Sequence, residues 1–358
     1  MVTRHGLSNR ALALWLLGVT AVVLYLGEVT DNLVRTVGLL AFLPALAAAI
    51  CTVRQTAFTA VWTLAVVAGA LFAHSPRELD DTVLTLVLTA AIGGLAVAGC
   101  RARIGREEEL LRLRSTASAM QQRILRPLPQ RTDRLLAEGV YEPVQEDKLV
   151  GGDIYDVADS AYGTRVLIGD VQGKGLAAIG VAFAVIGAFR EAAHREPTLG
   201  GVVAALEAAV VRHNAYAAEE GESERFATAL VLGFDGGDTA ELVSCGHEAP
   251  YLLRPEHRPV AVPPAEAGLP LGLGGLGPPG PPAVGRFAFP ADATLVLCTD
   301  GLTEARAADG TFFPLADRLA AARGLQPGRL AEHLLRQAQE YTAGHQHDDI
   351  AILTLRRP

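Results

Sequence analysis

The sequence predicts an α+β domain that is preceded by a membrane region of four helices. The 358-residue chain has a mean hydropathy of +0.27, which is high for a soluble protein and comes mostly from the first hundred or so residues. The rest of the chain carries strand-like runs joined by short turns, with helical runs clustered after the first strands and near the end. Such an order is typical of α+β domains rather than of regular βαβ units.

Composition limits the classes of partner and the compartment. The net charge is −8, which argues against a nucleic-acid surface. The four cysteines lie far apart and form no C-x-x-C motif, so free thiols in a reducing compartment are expected.

The first hundred residues contain four apolar runs, at positions 11–27, 33–53, 56–73 and 82–100. Each has about 17 to 21 residues, close to the length that crosses a bilayer core. A cleavable signal peptide would explain only the first run, and buried helices of a soluble domain would not explain the charges between the runs.

Basic and acidic residues alternate at successive ends of these runs. Arg10 precedes the first run, Arg54 separates the second and third, and Arg101, Arg103 and Arg106 follow the fourth. The other two connections carry acidic residues and are only about ten residues long, too short for an external sensor domain. The basic ends predict a multi-pass protein of the cell membrane whose two termini, and hence whole C-terminal domain, are cytoplasmic.

Residues 101–135 are charged, favour a helix and link the membrane region (1–100) to the C-terminal domain (136–358). Apolar residues form an a/d seam over two heptads: Leu110, Leu113, Ala117, Met120 and Ile124. The seam could pair with a second copy of the chain and make a homodimer. A single amphipathic helix lying on the next domain explains it equally well.

The C-terminal domain is predicted to contain strands at 165–170, 226–234, 240–244, 251–253, 294–298 and 350–355. Helices are predicted at 177–194, 199–217, 315–322 and 329–341. The turn at 235–238 indicates an antiparallel hairpin. Residues 268–282 are rich in Gly and Pro and predict a long surface loop.

Acidic residues stand at strand ends in four separate places: Asp153, Asp170, Asp300 and the pair Asp348-Asp349. Each alone has a structural explanation, because Asp-Gly is a common turn. Together they suit a hard cation such as Mg²⁺ or Mn²⁺, which prefers oxygen ligands and keeps several waters. The Gly-rich loop after Asp170 does not match a nucleotide-binding P-loop, since the spacing of its glycines is wrong and no hydroxyl follows Lys174.

Eight segments in order resemble the protein phosphatase 2C-like (PPM) superfamily in its bacterial stage II sporulation protein E (SpoIIE) branch, whose members are sigma-factor regulatory phosphatases. They span nearly all of residues 120–358: MQQRILRPLP (120–129), VGGDIYD (150–156), IGDVQGKG (168–175), FATALVLGFD (226–235), SCGHEAPYLL (244–253), GLPLGL (268–273), LCTDGLTEAR (297–306) and HDDIAILTL (347–355).

The resemblance implies an α-β-β-α sandwich of two antiparallel sheets, with two divalent cations, Mn²⁺ or Mg²⁺, at one end. It implies that Asp170 bridges both ions. Asp153 and the backbone carbonyl of Val171 would complete the protein ligands of one ion, while Asp300 and Asp348 would hold the other. Asp349 is the less favoured acid of its pair, and the supporting residues around the ligands would be Asp156, Asp349 and Gly301.

The implied activity is that of a metal-dependent protein serine/threonine phosphatase, in which a metal-bridging water attacks phosphorus without a protein nucleophile. The implied substrate is a phosphorylated anti-sigma factor antagonist. Two departures from the wider superfamily stand out. Gln172 occupies the position of a proposed general-acid His, for which His247 is an alternative without an assigned role, and no phosphate-binding Arg is evident near the start of the domain.

Three other functions are less consistent with the sequence than this one. A catalytically inactive membrane scaffold of the same fold would lack a ligand, and none of the four acids is missing. A diguanylate cyclase, suggested by Gly151-Gly152-Asp153, would continue with Glu-Phe. A binuclear zinc hydrolase, suggested by His345 and His347 before the Asp pair, would need further His ligands.

Overall fold

The computed structural model of the protein describes residues 8–30, 33–74, 79–143, 152–278, 280–346 and 348–358. The chain divides into two compact units, Met1–Leu111 and Arg112–Pro358. Helix α5 (Leu79–Ile124) continues past the residue at which the units divide. The predicted boundary between the membrane region and the linker, at residues 100 and 101, lies within this helix. The predicted end of the linker at residue 135 lies after it, and both boundaries stay predictions.

The N-terminal unit consists of helices α1 (Asn9–Val29), α2 (Leu33–Gly38), α3 (Leu43–Ile50), α4 (Val53–His74) and the first part of α5. Three apolar stretches are long enough to cross a membrane: Asn9–Val29, Val53–Ala73 and Thr82–Leu110. Large apolar side chains point outward, and Leu14, Phe72 and Leu95 are 71%, 77% and 75% exposed. Such a surface is costly in water and compatible with lipid.

The second predicted span is not one continuous α-helix. Its residues form α2, a 3₁₀ turn (Leu39–Phe42) and α3, and the apolar helical stretch Thr36–Ile50 is shorter than 18 residues. At about 1.5 Å per residue it covers less than the roughly 30 Å of a hydrocarbon core. Four apolar segments thus precede the domain, and within the described residues of this unit three of them have full spanning length.

The C-terminal unit contains two sheets in which all neighbouring strands are antiparallel. The five-stranded sheet has the order β3-β4-β5-β6-β9. Its strands are β3 (Asp153–Ser160), β4 (Gly163–Val171), β5 (Ala227–Phe234), β6 (Thr239–Cys245) and β9 (Gly285–Ala288). The six-stranded sheet has the order β1-β2-β11-β10-β7-β8. Its strands are β1 (Gln130–Arg131), β2 (Leu136–Glu142), β7 (Tyr251–Leu253), β8 (Val260–Ala261), β10 (Thr294–Cys298) and β11 (Ile350–Arg356).

Helices lie on both sheets. Helices α6 (Leu176–Arg195) and α7 (Leu199–Glu219) contact the five-stranded sheet, and α10 (Pro327–Tyr341) contacts β2 and β11 of the other. Two short helices, α8 (Asp300–Thr303) and α9 (Leu315–Ala321), follow β10. The predicted α-β-β-α sandwich is therefore confirmed. Helix α6 also has the length and composition of a membrane span, yet half of that stretch is buried inside the protein.

The core of this unit is aliphatic and aromatic. Ile154, Leu167, Leu230 and Phe189 are fully buried in its main cluster, and a second cluster lies beneath α10. Each such side chain contributes about 1.5–3 kcal/mol by leaving water. Residues 268–282 are irregular apart from one 3₁₀ turn and isolated bridges, as predicted. The acidic residues are thus presented at the ends of strands anchored in a well-packed core.

Candidate metal centre

Two of the predicted ligands lie opposite each other on neighbouring strands. Asp153 begins β3, Asp170 lies near the end of β4, and the two residues pair in register. Paired residues direct their side chains to the same face of a sheet. A Cβ at Gly152 would overlap Asp170 Oδ1 and the carbonyl oxygen of Val171, so glycine lets these two oxygens approach the same point. Gly151, from the same motif, lies outside the described residues.

The other predicted ligands come from the six-stranded sheet. Asp300 follows β10 and the pair Asp348-Asp349 precedes β11, and these strands are neighbours. A Cβ at Gly301 would overlap the carbonyl oxygen of Asp349, so this glycine allows the two segments to pack together. The centre is thus built from both sheets.

Thr299 connects the two halves of the centre, a role that the sequence analysis does not predict. Its hydroxyl donates to Asp153 Oδ2 (2.7 Å) and accepts from the backbone N–H of Ala351 (2.9 Å). One side chain therefore ties the first acid of β3 to strand β11. The only signal in the sequence is its position immediately before Asp300.

Burial and like charge raise the pKa of three carboxyl groups. Burial raises the pKa of Asp153 well above its ordinary value, with smaller contributions from Asp170 and Asp349. Burial, followed by the charges of Asp300 and Asp348, raises the pKa of Asp170 to about 8. The pKa of Asp300 is also raised, first by burial and then by Asp348. A cation among these groups would relieve the repulsion that holds protons on them.

An ion pair at the centre joins a lysine to one of the acids. Lys174 Nζ lies 3.1 Å from Asp348 Oδ1, and the same ammonium group lowers the pKa of Asp170. Among the described residues, no three His, Cys, Asp or Glu side chains converge closely enough to hold an ion by themselves. An ion here would need backbone oxygen and water as well, which suits Mg²⁺ or Mn²⁺.

The two acids of the Asp348-Asp349 pair have different surroundings. The side chain of Asp348 is 46% exposed and faces Lys174. Asp349 is buried, with its Oδ2 3.4 Å from the hydroxyl of Tyr141. The assignment of Asp348 rather than Asp349 as the ligand stays a prediction.

Asp156 points away from the acidic cluster. It lies three residues after Asp153 on β3, so strand alternation places it on the opposite face. It is fully buried there and pairs with Arg190 Nε of α6 (2.5 Å) and more distantly with Arg126 (3.8 Å). The structure thus places Asp156 in the contact between β3 and α6.

His247 is held in a neutral form. Its Nδ1 lies 3.0 Å from the hydroxyl of Thr228, which also accepts from the backbone N–H of Asp170 (3.2 Å). Burial lowers the pKa of His247 to about 4, against the opposing effect of the Cys298 backbone. An imidazole with that pKa is in its neutral form at pH 7, where it is too weak an acid to protonate a leaving group, so its contacts give it a positional role beside Asp170.

Comparisons with known proteins identify the family and the fold of the C-terminal domain. The family model for stage II sporulation protein E (SpoIIE) matches residues 160–358. The SiaA-PP2C domain of Pseudomonas aeruginosa superposes with a TM-score of 0.56 at 18% identity, covering 70% of this chain and 98% of that one. The PP2C phosphatase domain and regulatory fragment of SpoIIE from Bacillus subtilis gives a TM-score of 0.48 at 15% identity, covering 63% and 64%. A comparison with curated proteins finds no match.

The family match covers more than half of the chain, and the first of these structures shares the two-sheet sandwich. The chain therefore belongs to the SpoIIE family, and its C-terminal domain has the fold of the SiaA-PP2C domain.

Proposed function

We propose that this protein is a membrane-anchored, metal-dependent phosphatase that removes phosphate from serine or threonine of a protein substrate. The observation that carries the proposal is that Asp153, Asp170, Asp300 and Asp348 come from both sheets to one centre, where burial and the charges of neighbouring acids raise the pKa values of the first three. Buried acids that repel one another at the end of a rigid sandwich are a typical design for binding divalent cations.

Two divalent cations, Mn²⁺ or Mg²⁺, fit the donor set. Asp153, Asp170 and the carbonyl of Val171 would hold one, and Asp170, Asp300 and Asp348 the other. When bound, such ions supply an activated water and neutralise phosphoryl oxygens. Gly152 and Gly301 keep the ligand-bearing segments close enough to act together, because a side chain at either position would push them apart.

The chain's own residues orient the metal ligands and do not attack the phosphorus atom. The hydroxyl of Thr299 is committed to Asp153, so it orients a ligand. Gln172 cannot protonate a leaving group, and His247 is neutral at pH 7 because its pKa is lowered to about 4. The proton for the leaving oxygen is therefore expected to come from water, and no phosphoenzyme should form.

The substrate class and the location follow from the family and the N-terminal unit. We infer that the substrate is a phosphorylated anti-sigma factor antagonist, because regulatory phosphatases of this family act on such proteins. The outward apolar surface of the N-terminal helices supports anchoring in the cell membrane with the phosphatase domain in the cytoplasm.

Hydrolysis of p-nitrophenyl phosphate by the full chain in detergent micelles tests the activity. We expect turnover with Mn²⁺, loss of turnover with EDTA and recovery on adding excess Mn²⁺. A phosphorylated antagonist protein then tests the substrate class, with release of phosphate as the readout. A full chain that binds Mn²⁺ yet hydrolyses neither substrate would support the inactive scaffold instead.

A further inference from the structure

Lys174 is the cation placed among the acids of the metal centre. It stands in the loop between β4 and α6, four residues after Asp170, and its Nζ lies 3.1 Å from Asp348 Oδ1. Its side chain is 29% exposed, so the ammonium group faces both the cluster and solvent. The same charge acts on Asp170, whose pKa it lowers.

Nearby arginines have other partners. Arg225 Nη1 donates to the carbonyl of Gln172 (2.8 Å) and so supports the Lys174 loop. Arg190 and Arg126 bind Asp156 on the helix-covered face of β3. The described arginines around this loop therefore serve the scaffold, which fits the lack of an evident phosphate-binding Arg in the sequence.

The position of Lys174 puts it in competition with a metal ion. A divalent cation coordinated by Asp348 would face the ammonium group at short range, and two positive groups on one carboxylate repel each other. The lysine would then leave Asp348. Its flexible four-carbon stem can move the ammonium by several ångströms without any change in the backbone.

The phosphoryl group is the nearest new partner for the displaced ammonium. A phosphate ester held at the ions that Asp170 and Asp348 bind would place its oxygens within reach of a lysine that starts 3.1 Å from Asp348. Lysine is an established point-charge ligand of phosphate. Gly173 and Gly175, both with positive φ (85° and 93°), give the loop a backbone that few other residues adopt and so fix where the lysine begins.

We propose that Lys174 is a transferable counter-ion, which pairs with Asp348 before metal binding and contacts the substrate phosphoryl group once the ion has taken Asp348. The first part concerns metal binding alone, and the second rests on the proposed phosphatase activity. Lys174 would thus set a threshold for metal loading and serve as the phosphate-binding cation of this chain.

Calorimetric titration of the full chain in micelles with Mn²⁺ tests the first part. Lys174→Met should tighten Mn²⁺ binding by about threefold to tenfold, the range expected for loss of a competing, partly exposed ion pair. Arg134→Met is the matched control, since it removes a cation from an equally long pair with Asp159 (3.1 Å) elsewhere in the domain. In an Asp348→Asn background, Lys174→Met should have a smaller effect, because only its action on Asp170 remains.

Kinetics at saturating Mn²⁺ test the second part. Lys174→Met should lower kcat/KM for p-nitrophenyl phosphate by about tenfold to a hundredfold and weaken inhibition by inorganic phosphate, with partial rescue in Lys174→Arg. Unchanged Mn²⁺ affinity in Lys174→Met, or unchanged kcat/KM and phosphate inhibition, would overturn the proposal. Failure of the proposed function looks different, because the wild type itself would then show no Mn²⁺-dependent hydrolysis while the calorimetric result stood.

Discussion

At the scale of single residues, Asp170 is the point on which the interactions of the centre converge. It pairs with Asp153 across the strands, its backbone is held by Thr228, and the charges of Asp300 and Asp348 act on its carboxyl group. A residue in this position is expected to matter more for function than for stability.

Asp170→Asn should therefore lower turnover by about three orders of magnitude or more while the fold survives. The thermal midpoint in EDTA should equal or exceed that of the wild type, because the substitution removes a carboxyl group whose ionisation is opposed by burial and by its neighbours. Phosphate release and thermal unfolding of the full chain measure the two effects. Asp235→Asn, in the exposed turn after β5, is the control. Near wild-type turnover of Asp170→Asn with Mn²⁺ would refute the ligand assignment.

The pKa of Asp170 also predicts how metal binding depends on pH. In the folded protein the pKa is raised from 3.8 to about 8, so this carboxyl group keeps its proton at neutral pH. An ion must displace that proton, and apparent Mn²⁺ affinity should rise as pH increases toward 8.

Without metal, the unfolded state binds fewer protons in this range, so stability should fall between about pH 4 and 8. Calorimetry and thermal unfolding across this range measure the two effects, and Asp170→Asn should show a shallower dependence on pH than the wild type, with the remainder coming from Asp153 and Asp300.

The sequence revealed the acids of this centre but not their neighbours. Asp153, Asp170 and Asp300 were recognisable because each stands at a strand end beside glycine. Thr299 was not, because its bond to Asp153 joins residues 146 positions apart. The role of Asp156 was also hidden, since the face it occupies depends on which side of β3 the helix covers.

At the scale of elements, the close packing at Gly301 leads to a prediction about the short helix α8. Gly301→Ala should force this helix away from Asp349, lowering the free energy of unfolding by about 1–3 kcal/mol and weakening Mn²⁺ binding. Chemical unfolding and calorimetry measure the two effects. Gly275→Ala, where an added Cβ meets nothing within 4 Å, should behave like the wild type. Equal behaviour of both variants would contradict the packing argument.

The end of α5 contacts the C-terminal domain through apolar packing of Ile124 and through a hydrogen bond from an arginine. Arg190 of α6 donates to the carbonyl of Ile124 (2.6 Å) and also binds Asp156 on β3, the strand that begins with Asp153. The linker seam includes Ile124, whereas the side chains of Leu113, Ala117 and Met120 lie outside the described residues. A rotation of the helix end would therefore act on α6 and β3 together.

Inserting one residue near position 115 should rotate the preceding helix by about 100° relative to the domain and alter turnover at fixed Mn²⁺. The expectation is that a homodimer formed along the linker sets the activity, and light scattering of the full chain in micelles measures the oligomeric state. An insertion beside Gly221, in the open turn after α7, is the control. Unchanged turnover in a monomeric protein would leave the linker as a simple tether.

Strand prediction succeeded where a strand carries a continuous apolar run and failed at β2, which carries none. Strands β7 and β10 have the predicted ends, and β11 differs by one residue, because each carries a continuous apolar run. Strand β2 was missed because only Ala137 of its seven residues is buried, so no apolar pattern marks it. The break in the second membrane run was missed because length and hydropathy do not distinguish a 3₁₀ turn from an α-helix.

At the scale of the whole molecule, the alternating charges predict where each part lies. A reporter fused after residue 105 should be active in the cytoplasm, and one in the loop near residue 30 should face outside. The short second segment makes the first connection the sensitive test, because failure of that segment to span would move the N-terminus outside. An external signal after residue 105 would overturn the predicted orientation of the phosphatase domain.

The placement of the acids on both sheets has a mechanical consequence. The charges of Asp300 and Asp348, which come from one sheet, oppose ionisation of Asp170 on the other. Ions held by all three carboxylates would remove this opposition and would favour closure of that end of the sandwich. Closure and metal affinity are then thermodynamically linked, so anything that presses the sheets together strengthens ion binding by the same factor. A protein that grips only the outer helices could in this way switch on hydrolysis without ever touching the active site.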